Sequence, residues 1–549
     1  MYTPLRAAVA APCLVACLGS LATARLAATQ PAVQEFVAPE AGRTLPPPLA
    51  AAVAGLAAPS LAAHVRYLAS PALEGRGLGS RGLDAAAEYA AASLAHAGIP
   101  PLASGYFQTV PLREISGLGG RVTVERALAG ARSSRTFASG VDCLFDEQAP
   151  RTLDAPVVFA GYGVREPGLG RDDYRGLDVR GRIVLVLAGV PAGNAWQKPE
   201  LLTRYASADE DERWEVKVET AHALGAIAVL GVEGDEFAAR DLAKAPRETR
   251  FFLPYDETGA DAAAPLVRVS AAVADALLAT AGLDHASARS ATPRLIPGVT
   301  AAVQVTGNET LAASRNVVGV LSGSDSTLRG DAIVLGAHID HLGRVGDTVY
   351  PGADDNASGT SALIEIARAL AAMPARPKRT VVIAFWTGEE EGKLGSGYYV
   401  RHPLWPLART AAYLNLDMIG HPWSMEEIRK LVAESALPDG DAFLAKVKPA
   451  DFVEPGLPAG APELDEALRS AAGAAGLALH FDRTDGLHGG SDYREFARAH
   501  VPFVRFFGNF FPAYHQPGDT ADALDATQVQ RVARLALATA WLLAERPAR

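Results

Sequence analysis

From residue 316 onward the chain alternates short, almost wholly apolar runs with longer amphipathic stretches. The apolar runs at 316–321, 332–337, 380–385, 411–416, 478–481 and 503–507 are bounded by turn residues. They are too short for helices and read as buried strands. Between and after them, 359–373, 395–400, 462–475, 492–500 and 521–544 carry apolar residues at helical spacing. This alternation predicts an α/β fold, a doubly wound and mostly parallel sheet with helices on both faces. In such a sheet, binding sites form at the carboxyl ends of the strands.

Upstream the pattern changes. Ser60 is placed to cap a short helix carrying Leu61, Val65 and Leu68 on one face, and 83–97 reads as an amphipathic helix ended by Gly98. The glycine-rich stretch 74–82 lacks a following Gly-Lys-Ser/Thr, so it reads as a loop feeding that helix and not as a phosphate cradle. Between 136 and 299 the texture is β-rich. A strand and turn are expected at 156–163, a strand at 181–186, a helix at 214–224 and a strand at 225–230. His222 falls on the surface of that helix.

Composition adds limits. A chain of 549 residues is too long for one core, so more than one folded unit is expected. The net charge of -11 argues against nucleic-acid partners. Residues 1–28 read as an export signal, with Arg6 before an apolar stretch (7–21) too short to span a membrane. Ala22-Thr23-Ala24 offers a cleavage site, and Leu14-Val15-Ala16-Cys17 is a possible lipoprotein box with a lipid anchor at Cys17. An exported protein, periplasmic or secreted, with no transmembrane segment after signal removal is therefore expected. Residues 29–58 then form a mobile leader, 59–135 a helical N-terminal part, 136–299 an inserted β-rich domain and 300–549 the catalytic domain. Of the three cysteines, Cys13 and Cys17 lie in the signal and Cys143 has no partner, so stability must rest on core packing or bound metal.

The chemistry gathers at strand ends. His338 and Asp340 close the run 332–337. Asp354 and Asp355 lie in a glycine-rich turn, Glu389, Glu390 and Glu391 follow 380–385, Asp417 follows 411–416, and Tyr514 and His515 follow 503–507. Carboxylates placed straight after buried strands are costly unless paired or coordinated. Two histidines with several carboxylates suit zinc or another divalent first-row ion. The surplus of carboxylates favours two metals sharing one aspartate, a recurrent arrangement for activating water.

The order His-x-Asp, Gly-x-Asp-Asp-x-x-Ser-Gly, Glu-Glu-x-Gly-x-x-Gly-Ser, Asp-Met-Ile-Gly and Tyr-His resembles the di-zinc exopeptidases of the bacterial leucyl aminopeptidase and glutamate carboxypeptidase family. The resemblance covers about 316–544, with 60–112 supplying the family's leading helices. It implies two zinc ions per chain. His338 and Asp417 would bind one and Glu390 and His515 the other. Asp355, four residues before Gly359, would bridge them. By the same resemblance Glu389 is the general base acting on a metal-bridged water, Asp340 orients the His338 imidazole, and Tyr514 donates a hydrogen bond to the oxyanion. His341 is expected to line the pocket wall, Glu391 to be solvated and Asp354 to be a hydrogen-bonding neighbour. A histidine that often follows Ser-Asp in the family is replaced by Tyr493, and His488 stands close by. The segment 181–186 with 221–226 resembles a protease-associated (PA) domain. The activity implied is release of N-terminal residues from a peptide substrate. A glutamate carboxypeptidase-like dipeptidase is the alternative, and a non-catalytic receptor-like relative or a single-metal glutaminyl cyclase-like enzyme are weaker ones.

Overall fold

Every residue of the strand Ala332–His338 is buried, which explains its unbroken apolar run. Successive side chains of a strand point to opposite faces. Ile333, Leu335 and Ala337 enter one core with helices Pro47–Ala54, Ala58–Leu68, Arg81–His96, Gly359–Ala372, Pro462–Ala475 and Ala526–Glu545. Ala332 and Val334 enter a second core on the other face, with Tyr399 of helix Leu394–Arg401 and Phe496 of helix Tyr493–Arg498. Helices on both faces are thus a direct consequence of strands with two apolar faces. The computed structural model describes residues 35–38, 44–128, 130–145, 150–207, 210–233, 249–254, 265–435, 437–487 and 490–547. The expected signal, Cys17 and His488 lie outside them.

Ala332–His338 runs parallel to Thr380–Trp386 on one side and Thr410–Leu416 on the other, and Phe503–Phe507 extends the parallel set. The sheet as a whole is mixed. Arg294–Leu321 is antiparallel to Thr380–Trp386 because it is the returning arm of a long ribbon with Phe107–Leu128. Phe452–Leu457 pairs antiparallel with Phe503–Phe507, Ala478–Arg483 lies parallel to it, and Glu35–Val37 closes that edge.

The ribbon carries the inserted segment. There the strands Arg151–Phe159, Ile183–Leu187, Ala228–Val232 and Leu266–Val269 pair parallel in that order, and Val157, Phe159, Leu185, Leu230 and Val267 form a separate core. Cys143 is buried in that core, and burial raises its thiol pKa to about 12. A thiol so held is inert at neutral pH.

Some local expectations shift. The leader expected over 29–58 contains an edge strand, Glu35–Val37, and a helix, Pro47–Ala54, with Leu49 buried. Ser60 lies inside the first turn of Ala58–Leu68, whose start is favoured by the proline at its second position. Among the described residues no single helix is long and apolar enough to cross a membrane.

Candidate metal centre

Three adjacent parallel strands deliver four acidic or imidazole groups to one edge. His338 ends Ala332–His338, Glu389 and Glu390 follow Thr380–Trp386, and Asp417 follows Thr410–Leu416. Asp355 arrives from the turn preceding helix Gly359–Ala372, and His515 from the loop beyond Phe503–Phe507. Ligand-type atoms of His338, Asp355 and Glu390 all lie within 4.8 Å of one another. The His338 Nε2 atom is 3.3 Å from Asp355 Oδ1 and 3.2 Å from Asp417 Oδ1. On the other side, His515 Nε2 is 3.0 Å from Asp355 Oδ2 and 3.2 Å from Glu390 Oε2. Asp355 thus stands between two imidazoles, one oxygen toward each.

Further side chains hold these groups. Asp340 accepts hydrogen bonds from the backbone amides of Glu389 (3.1 Å) and Glu390 (3.3 Å). Its own backbone carbonyl is 3.2 Å from His338 Nδ1, closer than its carboxylate at 3.9 Å. The carbonyl therefore fixes the imidazole, and the carboxylate fixes the glutamate pair. Asp519 accepts from the amides of Asp354 and Asp355, at 2.9 and 3.1 Å. Asp354, fully buried, accepts from the Gly420 amide and lies 3.0 Å from His421 Nδ1, as a hydrogen-bonding neighbour should. Ser491 donates to Asp417 Oδ2 at 2.5 Å. Arg76 is buried and donates to the carbonyls of Leu68, Ile339, Pro351 and Gly352, tying the leading helices to two loops of the site.

The electrostatics are lopsided. Burial alone would depress the His515 imidazole, yet Glu390 and Asp355 outweigh it and push it up to about 11. His338 is likewise raised despite burial, by Asp417 and Asp355. Burial and Glu390 would raise Asp355, but hydrogen bonds from His338 and His515 hold it at about 2. Glu389 is raised well above the usual range by burial, against the opposing pull of Lys393 and His338. A pocket that drives its imidazoles to keep protons is short of positive charge. Its nitrogen and oxygen donors fit zinc, which would meet that demand. His341 Nε2 and Glu389 Oε1 are buried there without hydrogen-bond partners.

The eight residues expected at the site all lie in or beside this cluster. Tyr514 stacks on the His515 ring at 3.8 Å between centroids. His341 is a wall residue in close contact with the cluster, its Nδ1 being 2.6 Å from Glu390 Oε1. Glu391 differs from expectation: it is mostly shielded and pairs with Arg250 at 3.2 Å, because the inserted segment covers it. His222 is exposed on its helix. Arg76, Ser491 and Asp519 were not singled out by sequence. Asp519 sits in the same polar stretch as His515, which was the available signal, whereas Arg76 in a glycine-rich loop looks like a surface charge.

Residues 316–540 match the model described as Peptidase family M28. Among curated proteins, the chain is 29% identical over 254 residues to a probable zinc metalloprotease of Leptosphaeria maculans, covering 42% of this chain and 58% of that one. It is 29% identical over 236 residues to aminopeptidase YwaD of Bacillus subtilis, covering 42% and 44%. The chain thus spans about half the length of the curated relatives it matches. A solved aminopeptidase from Aneurinibacillus sp. strain AM-1 superposes with a TM-score of 0.49 at 19% identity, covering 90% of this chain and 96% of that one.

Proposed function

Because residues 316–540 match the model of peptidase family M28, we propose that this protein is a di-zinc exopeptidase, an aminopeptidase that hydrolyses N-terminal residues from peptides. The convergence of His338, Glu390, Asp417 and His515, from four separate segments, around Asp355 carries the reading. His338 and Asp417 would hold one zinc and Glu390 and His515 the other, with Asp355 shared between them. Bound there, zinc would polarise the scissile carbonyl and lower the pKa of water.

The chain's own groups do the rest. Glu389 takes the proton from the attacking water and returns it to the leaving amine. Burial raises its pKa above the ordinary carboxylate range, the direction that suits a group which must hold a proton before passing it on. Asp340 holds the Glu389 and Glu390 amides and so fixes where both carboxylates start. Tyr514 donates a hydrogen bond to the developing oxyanion, from a position set by its stacking on His515.

The alternative, a carboxypeptidase for acidic dipeptides, needs arginines converging on substrate carboxylates. Arg483 is engaged by Asp465 and Glu35, Arg505 by Asp482, and Arg494 by Glu215 and Glu495. These pairings favour the aminopeptidase. A receptor-like relative is disfavoured because every ligand type is in place. We extend the proposal to a PA domain at 136–299 and to export, with lipid at Cys17 as one route. Amino-acid anilides and N-blocked dipeptides, assayed side by side, test the reading. It expects anilide hydrolysis that a chelator abolishes and zinc restores. Cleavage of the blocked dipeptides alone would overturn the N-terminal specificity.

A further inference from the structure

The inserted segment reaches the metal centre from two directions. Its strand Thr249–Phe252 pairs with the 113–116 part of the ribbon. Phe251 packs there with Val110, Leu112 and Leu394, while Arg113 Nε donates to the Leu253 carbonyl. So anchored, the strand holds Arg250 Nε 3.2 Å from Glu391 Oε2, with the two side chains only 19% and 9% exposed. Glu391 is the neighbour of Glu390. On the far side, Glu215 of helix Glu210–Ala223 binds Arg494 at 2.8 Å and Arg498 at 2.9 Å, and Glu219 binds Arg498 at 2.7 Å. Arg494 lies three residues beyond Ser491, whose hydroxyl holds Asp417. One segment therefore grips the chain beside a ligand of each zinc named above.

The loop between Thr380–Trp386 and Leu394–Arg401 carries Glu389, Glu390 and Glu391 and is the part so gripped. It contains Gly388 and Gly392 at positive φ, 66° and 107°, and has no helix or strand of its own. From the sheet side Asp340 holds its middle through two backbone amides, and Asn316 and Ser314 hold its first residue, Thr387. Exposed ion pairs contribute little because water screens them. The Arg250–Glu391 pair is shielded and its arginine is fixed on a strand, so it can set a loop position.

We propose that the inserted segment is a two-point brace for the metal centre, in which Arg250, acting through Glu391, and Glu215, acting through Arg494, are positioning residues. This rests on the di-zinc reading above. Neither residue touches substrate. Arg250 sets the direction of the Glu389–Glu390 pair, and Glu215 steadies Ser491 and with it Asp417.

The test uses the full chain with zinc bound. Arg250→Gln, Glu391→Gln, the double variant and Glu215→Gln are compared for kcat and KM on an amino-acid anilide, and for hydrogen exchange over 387–394. Each single change at the 250–391 pair is expected to lower kcat roughly 10-fold, the low end for groups that orient ligands, with KM unchanged. The double variant should be no worse than either single one, because the pair acts as a unit. Exchange over 387–394 should quicken in all three. Glu215→Gln should lower kcat without changing exchange in that loop. Wild-type kcat in the single variants, or losses that multiply in the double, would overturn the brace. If the wild-type chain itself hydrolyses nothing, the parent reading fails. The brace is then decided by exchange alone, with unchanged rates in the Arg250 and Glu391 variants counting against it.

Discussion

Both halves of this molecule bury charge, and they handle it in opposite ways. In the inserted half, Lys217 is fully buried, yet its ammonium donates to the Leu187 and Gly189 carbonyls at 2.8 and 2.7 Å and lies over the Trp214 and Tyr162 rings. Its hydrogen bonds are met from within, although burial still disfavours the charge itself. In the half that matches the peptidase family, Asp355, Glu389, Glu390 and Asp417 outnumber the imidazoles of His338, His341 and His515, and those of His338 and His515 are pushed toward holding protons. That charge is balanced only by something added. A buried charge complete in itself marks structure, while one left unbalanced marks a site.

The largest expected effect tests the chemistry on the unbalanced side. Glu389→Ala should lower kcat by about 10²–10⁴-fold, the range for a lost general base, while zinc content measured by elemental analysis stays at the wild-type level. A smaller effect is expected where the glutamates are held. Asp340→Asn should cost about 10–100-fold in zinc affinity or kcat, as for groups that orient ligands, read by competition with a chelator and by anilide kinetics.

The pH response sharpens the contrast. With zinc removed, His515 titrates near 11, far above its free value, so it is protonated at neutral pH. Zinc needs the bare nitrogen, so its uptake releases protons, and its affinity rises with pH until that imidazole is neutral. Acid release into a weakly buffered solution during zinc titration at pH 7 is the measurement, and none would count against the assignment. Lys217 gives the smallest effect and the opposite logic. Burial lowers its pKa to about 7, while the unfolded chain holds that proton up to about 10.4. Between those values the unfolded state binds more protons, so stability of the inserted half should rise with pH. The penalty for the buried charge is full below 7 and gone above about 10.4. Denaturant midpoints at several pH values should rise across this window in wild type and flatten in Lys217→Met.

The sequence made the strands of the half after residue 316 legible because their two apolar faces leave no other reading. Ala332–His338, Thr380–Trp386, Thr410–Leu416 and Phe503–Phe507 fall within a residue of their expected bounds. The strand Phe452–Leu457 was hidden by Glu454 and Pro455, which interrupt its pattern and are tolerated beside Phe506 and Phe507. The lengths of the ribbon strands were hidden too, since the exposed middle of Arg294–Leu321 lacks an apolar face. At the site, residue types and order announced the ligands. What spacing could not carry was support arriving from far along the chain, from Arg76, Ser491 and Arg250, because such contacts leave no local pattern.

The account stands on Asp355 joining two cations. The direct measurement is zinc per chain, by elemental analysis, in the purified wild type and in Asp355→Asn after dialysis against metal-free buffer. The account predicts two zinc ions in the wild type and a variant that keeps fewer than one. A wild type that binds no zinc, or a variant that keeps both ions, would contradict it.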